Sequence, residues 1–255
     1  MLQQTQASRV VPAFERFLAH YPSLRDLARA PRDDVVRAWA GLGYNRRAVA
    51  LSETARLLVD DHGGRVPRDP ELLRRLPGIG AYTAAAVASL AFGEPVAAVD
   101  TNVRRVVARA WAGRDAQELA TADLRKLAER WLDHDDPATW NQALMDLGRE
   151  ICRPRPRCDA CPIAFGCRFL AEGATPVPAR RKQGRFDGSS RQVRGAVVDS
   201  LRRRGSWSLG AIARGTGFSP DRVREAVDAL RLDGLVEAGP AALAGRPAGR
   251  VRLAR

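Results

Sequence analysis

The 255-residue chain has four cysteines, and all of them lie in one short segment, at Cys152, Cys158, Cys161 and Cys167. Thiols so close in sequence are typical of a metal or cluster site, because several thiolates can then bind one centre. Four thiolates suit a tetrahedral zinc ion as well as an iron–sulfur cluster, so the residue types leave both cofactors open.

A second segment with chemical potential is residues 76–84, which read Leu-Pro-Gly-Ile-Gly-Ala-Tyr-Thr-Ala. The pattern predicts a helix end, a tight turn at Gly78, Ile79 and Gly80, and a new helix. Glycines allow positive φ angles and close backbone approach, and the first amides of the new helix point outward, where a phosphate can bind. The alternative interpretation is an ordinary helix–helix turn without a ligand.

The charge of the chain indicates a polyanionic partner. There are 42 Lys and Arg against 29 Asp and Glu, a net charge of +13. Nucleic acid is the commonest partner for such an excess, and a genome that favours arginine codons is the other explanation. Residues 176–255 hold 17 basic and 7 acidic side chains. We expect this basic tail to add mainly non-specific, salt-sensitive affinity for DNA.

Hydrophobic spacing predicts an almost wholly helical segment over residues 1–150, followed by the cysteine segment. A linker rich in Pro, Arg, Gly and Ser follows, and then helices at 193–201, at 209–216 and from Pro220, with Ser219 as N-cap. Two short strands end the chain, which is the order of a winged-helix domain. The predicted domains are residues 1–172 with the cysteine cluster at 152–167, a linker at 173–190, and a basic winged-helix-like domain at 191–255.

No apolar run reaches the ~18 residues of a membrane helix. No signal peptide precedes Gln3 and Gln4. A cytoplasmic protein without a membrane partner is therefore expected, associated with the nucleoid if DNA is its partner.

Several blocks resemble, in the same order, the helix-hairpin-helix DNA glycosylases, an endonuclease III-like superfamily, and within them the MutY family of A/G-specific adenine glycosylases. The blocks are residues 1–5, 41–44, 76–84, 99–105 and 141–148, followed by the cysteine cluster. The resemblance runs from Met1 to about Cys167. It implies an all-α, two-lobed helix-hairpin-helix fold with an iron–sulfur cluster loop, to which this chain adds the small winged-helix-like domain.

The resemblance also implies roles for residues of the reaction centre. Asp100 corresponds to the catalytic carboxylate, which would stabilise positive charge on the sugar; it could equally cap the helix that begins near Asn102. Asn102 matches the residue that steadies this site. Tyr82 stands where strand-cutting relatives carry a lysine, which implies a monofunctional glycosylase; a core tyrosine is the alternative.

Further positions match residues that contact the duplex. Gln4 and Tyr44 correspond to side chains that enter the DNA stack, while Thr5 and Leu42 correspond to residues around the oxidised guanine. Taken alone, Tyr44 would more often be a surface or packing residue. The family implies a [4Fe–4S] cluster on the four cysteines, although its usual first spacing is six residues and here it is five. The cluster would order the basic loop with Arg153, Arg155 and Arg157 against phosphates.

Two features depart from the MutY pattern. The glutamate that protonates adenine precedes by two residues the methionine that is Met1 here, so we expect the chain to be N-terminally truncated at Met1. If Met1 is the true start, the chain could bind DNA and cleave it poorly. The tail is also too short and helical for the usual C-terminal recognition domain of the family.

The sequence thus predicts a monomeric base excision repair enzyme that acts on double-stranded DNA with mismatched or oxidised bases. Its expected reaction is hydrolysis of the N-glycosidic bond of adenine opposite 8-oxoguanine or guanine. The alternatives are a thymine glycosylase for T·G mismatches and a non-catalytic DNA-binding protein.

Overall fold

A computed structural model describes residues 1–177 and 184–255, so residues 178–183 of the predicted linker lie outside the described residues. The α-helices up to the cysteine segment are α1 Ala7–His20, α2 Leu24–Arg29, α3 Arg32–Ala38, α4 Arg46–Asp61, α5 Pro70–Arg74, α6 Ala81–Phe92, α7 Thr101–Ala112, α8 Thr121–Trp131 and α9 Pro137–Glu150. The remaining elements are α10 Arg168–Ala171, α11 Ser190–Arg203, β1 Ser206–Ser208, α12 Leu209–Thr216, α13 Pro220–Leu232, β2 Val236–Ala238, α14 Pro240–Leu243 and β3 Arg250–Leu253. Short 3₁₀ helices occur at Ala116–Glu118, Cys158–Ala160 and Ala164–Gly166.

The predicted helical fold with a small C-terminal sheet is confirmed. Helix α12 has the predicted bounds, and α13 begins at Pro220 with Ser219 in the N-cap position, although the Ser219 side chain makes no capping hydrogen bond. A third strand, β1, was not predicted, since three residues are too few for an alternating pattern. The strands pair antiparallel in the order β1-β3-β2. None of the helices in residues 1–177 and 184–255 has the length and apolar character needed to cross a membrane.

The chain forms two compact units: Met1–Arg65 with Gln183–Arg255 (unit 1), and Val66–Lys182 (unit 2). Helix α7 supplies much of the core of unit 2 because Val103, Val106 and Val107 lie on one face and are fully buried. They pack with Ala128 of α8 and Leu144 of α9. Asp100 caps the start of α7, so the packing of this helix fixes where that carboxylate lies.

In unit 1, buried side chains of α1, α3 and α4 share one hydrophobic cluster with those of α11, α12, α13 and the sheet. Val36 and Trp39 lie in it together with Val197, Ile212 and Leu253. Burying each such side chain contributes ~1.5–3 kcal/mol. Residues on both sides of the predicted boundary at residue 172 therefore build one core. The domain boundaries themselves stay a prediction, because a packing unit need not be an independent domain.

Candidate active site

The Asp100 carboxylate is held by three N–H donors. Its Oδ1 accepts hydrogen bonds from the backbone amides of Asn102 (2.8 Å) and Val103 (2.7 Å), and its Oδ2 accepts one from Asn102 Nδ2 (3.1 Å). The interpretation of Asp100 as a helix N-cap is thus correct in geometry. The same bonds fix the orientation of the carboxylate, and an anion with a fixed position can stabilise a cation that develops nearby.

Arg105 orients Asn102 and was missed by the sequence analysis. Its Nη2 donates to Asn102 Oδ1 (2.9 Å) and to Gly148 O (2.6 Å), and its Nε donates to Cys152 O (2.5 Å). Because the guanidinium donates a hydrogen bond to the amide oxygen of Asn102, that oxygen faces Arg105 and the amide nitrogen faces Asp100. Burial lowers the pKa of Arg105 below its ordinary value. A hydrogen-bonded chain therefore joins the first cysteine to the carboxylate.

Tyr82, the second residue of α6, belongs to the same site. Its hydroxyl lies 3.5 Å from Met145 Sδ, and 37% of the residue is exposed. Burial raises the pKa of Tyr82, and the negative charge of Asp100 raises it further. The hydroxyl therefore stays protonated at neutral pH, and it donates to Met145 Sδ.

The turn between α5 and α6 has the predicted geometry. Gly78 has φ +73°, a conformation that favours glycine. Gly80 is the N-cap of α6, has no side-chain cap, and is exposed. A Cβ atom at Gly80 would meet nothing within 4 Å, so the packing of the protein itself does not require glycine there. Close approach of an external group, such as a phosphate, is a reason for it.

Asn141 fixes the segment that leads to Asp100 and was also missed. It is fully buried, and its Oδ1 accepts a hydrogen bond from Ala98 N (2.6 Å). Its Nδ2 donates to Ser89 Oγ (2.8 Å) and Val96 O (2.9 Å). A buried amide with its partners satisfied is stabilising, whereas leaving those partners unpaired costs ~1–3 kcal/mol. No local pattern reveals this role, because the partners lie about 45 residues away.

The four cysteines line one cavity, whose other lining residues include Val106, Ile163 and Phe169. Burial raises the pKa of the Cys152 thiol, and both burial and the neighbouring thiolates raise that of Cys158. Within residues 1–177 and 184–255, no group of three or more His, Cys, Asp or Glu is arranged to hold a single metal ion.

A buried ion pair supports the start of the cysteine segment. Arg109 Nη2 lies 2.8 Å from Asp115 Oδ2, with the two residues only 2% and 4% exposed. Arg109 Nη1 donates to Arg153 O (2.7 Å), and its guanidinium lies 5.0 Å from the centre of the Phe169 ring. Removing one partner of such a pair costs ~3–5 kcal/mol.

The basic loop is only partly free to meet phosphates. Arg153 and Arg157 donate to the C-terminal turn of α9, through Arg149 O and Glu150 O respectively. Arg153 also pairs with the Glu150 carboxylate (3.1 Å), whereas Arg155 is exposed.

The residues expected to contact DNA bases come together within unit 1. Gln4 (φ 56°) and Tyr44 (φ 45°) are the non-glycine residues with positive φ in the described parts of the chain. Such backbone strain costs of order 1–3 kcal/mol per residue and clusters at functional sites. Thr5 Oγ1 donates to Leu42 O (3.1 Å), which joins the two segments. Tyr44 is 47% exposed, whereas Leu42 is buried and supports the loop from inside.

Arg47 forms hydrogen bonds with both strained segments. The sequence analysis did not select this residue. Its guanidinium lies 5.5 Å from the centre of the Tyr44 ring and 5.4 Å from that of Trp39. Its two terminal nitrogens donate to oxygen atoms of both segments: Met1 O, Gln3 O, Thr5 Oγ1, Leu42 O and Gly43 O. The predicted site residues therefore form two sets, one assembled in each unit.

Comparisons with known proteins show which family and fold this chain resembles. Residues 1–131 match the HhH-GPD superfamily of base excision DNA repair proteins. The adenine DNA glycosylase of Mycolicibacterium smegmatis is 41% identical over 239 residues, which cover 93% of this chain and 81% of that protein. A solved thermostable thymine-DNA glycosylase has a TM-score of 0.62 at 35% identity over 67% of this chain and 80% of its own. A solved complex of an endonuclease III with DNA, bound non-covalently, has a TM-score of 0.58 at 27% identity. The match covers 67% of this chain and 79% of that chain.

The contact between α7 and α9 generates a stability prediction. A Cβ atom at Gly148 would lie 2.7 Å from Asn102 Cβ and 2.9 Å from its carbonyl oxygen, so Gly148→Ala should force the helices apart. We expect a loss of ~1–3 kcal/mol in the free energy of unfolding, measured by denaturant titration. Gly195→Ala is the matched control, because it lies within α11 with open space around its Cβ position and should gain up to ~1 kcal/mol. An unchanged or higher stability of Gly148→Ala would contradict this account.

Proposed function

The chain belongs to the HhH-GPD superfamily of base excision DNA repair proteins, and we propose that it hydrolyses the N-glycosidic bond of adenine mispaired with 8-oxoguanine or guanine. The Asp100 carboxylate, held in a fixed orientation by the first amides of α7 and by Asn102 Nδ2, is the observation that carries the proposal. The similarity to a mycobacterial adenine DNA glycosylase over 93% of the chain supports adenine as the base.

In the proposed reaction the target nucleotide leaves the stack, because the bond to be cut is out of reach inside the duplex. The bond between C1′ and N9 of adenine breaks, and its electron pair leaves with the base. Asp100 stabilises the oxocarbenium character of the sugar. Water adds to C1′ and loses one proton to solvent, while the departing base gains one, so that the products are neutral adenine and an abasic site. Since Tyr82 offers no amine for a Schiff base, the strand stays intact.

The remaining predicted residues position the duplex. Gly78, Ile79 and Gly80 bring backbone amides at the start of α6 to a phosphate near the reacting nucleotide. Gln4 and Tyr44 enter the base stack, where they fill the space that the flipped base has left or separate the bases of the opposite strand. Their strained backbone keeps these side chains in position before DNA binds. Thr5 and Leu42 shape the surroundings of the opposite base.

The four cysteines would hold a [4Fe–4S] cluster, one thiolate to each iron. The cavity that all four cysteines line and the cluster that the family resemblance implies support this choice over zinc. The bound cluster supplies structural cross-linking of the loop. Through Cys152 O and Arg105, that loop then constrains Asn102.

Thymine release from T·G mismatches is the second candidate, because a thymine-DNA glycosylase structure is 35% identical over 67% of the chain. Either reaction takes double-stranded DNA as the partner, with a monomeric enzyme associated with the nucleoid.

Single-turnover cleavage tests the function on duplexes with A opposite 8-oxoguanine, A opposite G, and T opposite G. We expect adenine release to be slow in the chain that begins at Met1 and about 10²–10³-fold or more slower still in Asp100→Asn, because asparagine can keep the helix cap and removes the charge. Duplex affinity should persist. Asp228→Asn, an exposed carboxylate of α13, is the control. Thymine release alone would favour the second candidate, and tight binding without release would favour a non-catalytic protein.

Elemental analysis tests the cofactor. We expect about four iron atoms and four sulfides per chain with broad visible absorption, and a marked loss of iron in Cys158→Ser. The neighbouring Asp159→Asn should keep its iron, since Asp159 is exposed. About one zinc per chain without iron would refute the cluster.

The salt dependence of duplex binding tests the basic tail. Arg204 and Arg250 are exposed and line an open groove of about 400 Å³ beside Trp207. If each contacts a phosphate, replacing both by Gln should reduce the slope of log K against log salt by about 1.8. Arg252→Gln is the control, because Arg252 already pairs with Glu237 (2.6 Å). An unchanged slope in the double variant would refute this. Deletion of the tail is a poorer test, since it would expose the core of unit 1.

A further inference from the structure

The loop that carries Tyr44 runs from the end of α3 at Ala38 to the start of α4 at Arg46. Three of its residues, Gly41, Gly43 and Tyr44, have positive φ. A short loop with this much left-handed backbone keeps one conformation only when its surroundings over-determine it. Arg47 supplies contacts from inside the loop, and a second arginine supplies them from the C-terminal segment.

That second arginine is Arg202 of α11, whose side chain is 11% exposed. Its Nε and Nη2 donate to Val36 O in α3, at 3.0 and 2.9 Å, and its Nη2 also donates to Asn45 Oδ1 at 2.8 Å. Val36 precedes the loop and Asn45 ends it. One guanidinium therefore brackets both ends of the loop, while Asp199 Oδ1 (2.7 Å) holds its third nitrogen.

Asn45 shows that this contact displaces an ordinary local one. It occupies the N-cap position of α4, where an asparagine side chain usually accepts a hydrogen bond from an amide of its own helix. Here Asn45 makes no such capping bond, and its Oδ1 accepts from Arg202 instead. The side chain next to Tyr44 is thus bonded to the C-terminal segment.

A reciprocal contact fixes α11 against α3. Arg37 Nη1 donates to Leu201 O (3.3 Å) and Arg202 O (2.8 Å) at the end of α11. The two helices also share buried side chains, among them Val36 and Val198. Movement of the end of α11 would therefore be transmitted to both ends of the loop.

We propose that Arg202 is a positioning residue that sets the presentation of Tyr44 to the duplex and thereby the discrimination of the base opposite adenine. The proposal rests on the proposed function, in which Tyr44 enters the stack. In this proposal the winged-helix-like segment contributes to recognition of the lesion through the loop of Tyr44, without itself contacting DNA.

The first test uses the protein without DNA. Hydrogen exchange of the backbone amides of residues 39–47 is compared in the full chain, in Arg202→Met and in Asn45→Ala, with Arg203→Met as the control because Arg203 is the exposed neighbour. We expect exchange about tenfold faster in the first two variants and unchanged in the control. Asn45→Ala removes only the side-chain acceptor, so it keeps the test valid if Arg202→Met folds poorly. Unchanged exchange in both would overturn the proposal.

The second test measures the ratio of single-turnover rates for adenine opposite 8-oxoguanine and opposite guanine, corrected for active fraction. We expect the ratio to fall about fivefold or more in Arg202→Met, with partial recovery in Arg202→Lys. A purely structural role would lower the active fraction and leave the ratio unchanged, which would overturn the discrimination step. If the unaltered chain releases no adenine, the proposed function fails, and the exchange experiment still decides whether Arg202 positions the loop.

Discussion

Hydrogen bonds from partly buried guanidinium groups to backbone carbonyl oxygens hold together both candidate sites. A guanidinium carries five N–H donors in one rigid plane and stays charged, so one side chain can join several segments that have no regular secondary structure. Arg105 links the cysteine segment to Asn102 and Asp100. Arg47 and Arg202 do the same for the loop of Tyr44. A lysine could replace them only in part, because its single ammonium cannot span all of these acceptors.

This use of arginine changes how the charge of the chain is understood. The net charge of +13 suggests an outward electrostatic surface. Arg109 is buried, and burial lowers the pKa values of Arg105 and Arg202. Part of the positive charge therefore lies inside the protein, where it holds segments together. Fewer arginines are therefore available to bind phosphates than the composition suggests. Arg155 in the cysteine loop, which is exposed, is one of them.

Features with a local cause could be predicted from the sequence, whereas features that depend on distant partners could not. The turn at Gly78 and Gly80, the cap at Asp100 and the bounds of α12 follow from neighbouring residues, and they agree with the structure. The partners of Asn141, Arg105 and Arg202 lie about 40 to 165 residues away. A pattern of residue types carries no information about such partners. The shared core of unit 1 was missed for the same reason.

The composition of unit 1 has a consequence for synthesis of the protein. Its two parts, Met1–Arg65 and Gln183–Arg255, lie before and after unit 2 in the chain, while unit 2 is one continuous stretch between them. Unit 2 can complete its contacts during translation. The first segment must wait, with its apolar residues incompletely covered, until the last has emerged, because contacts so distant in sequence form late. The strained loop of Tyr44 can therefore complete its contacts only after unit 2, which carries Asp100, has left the ribosome.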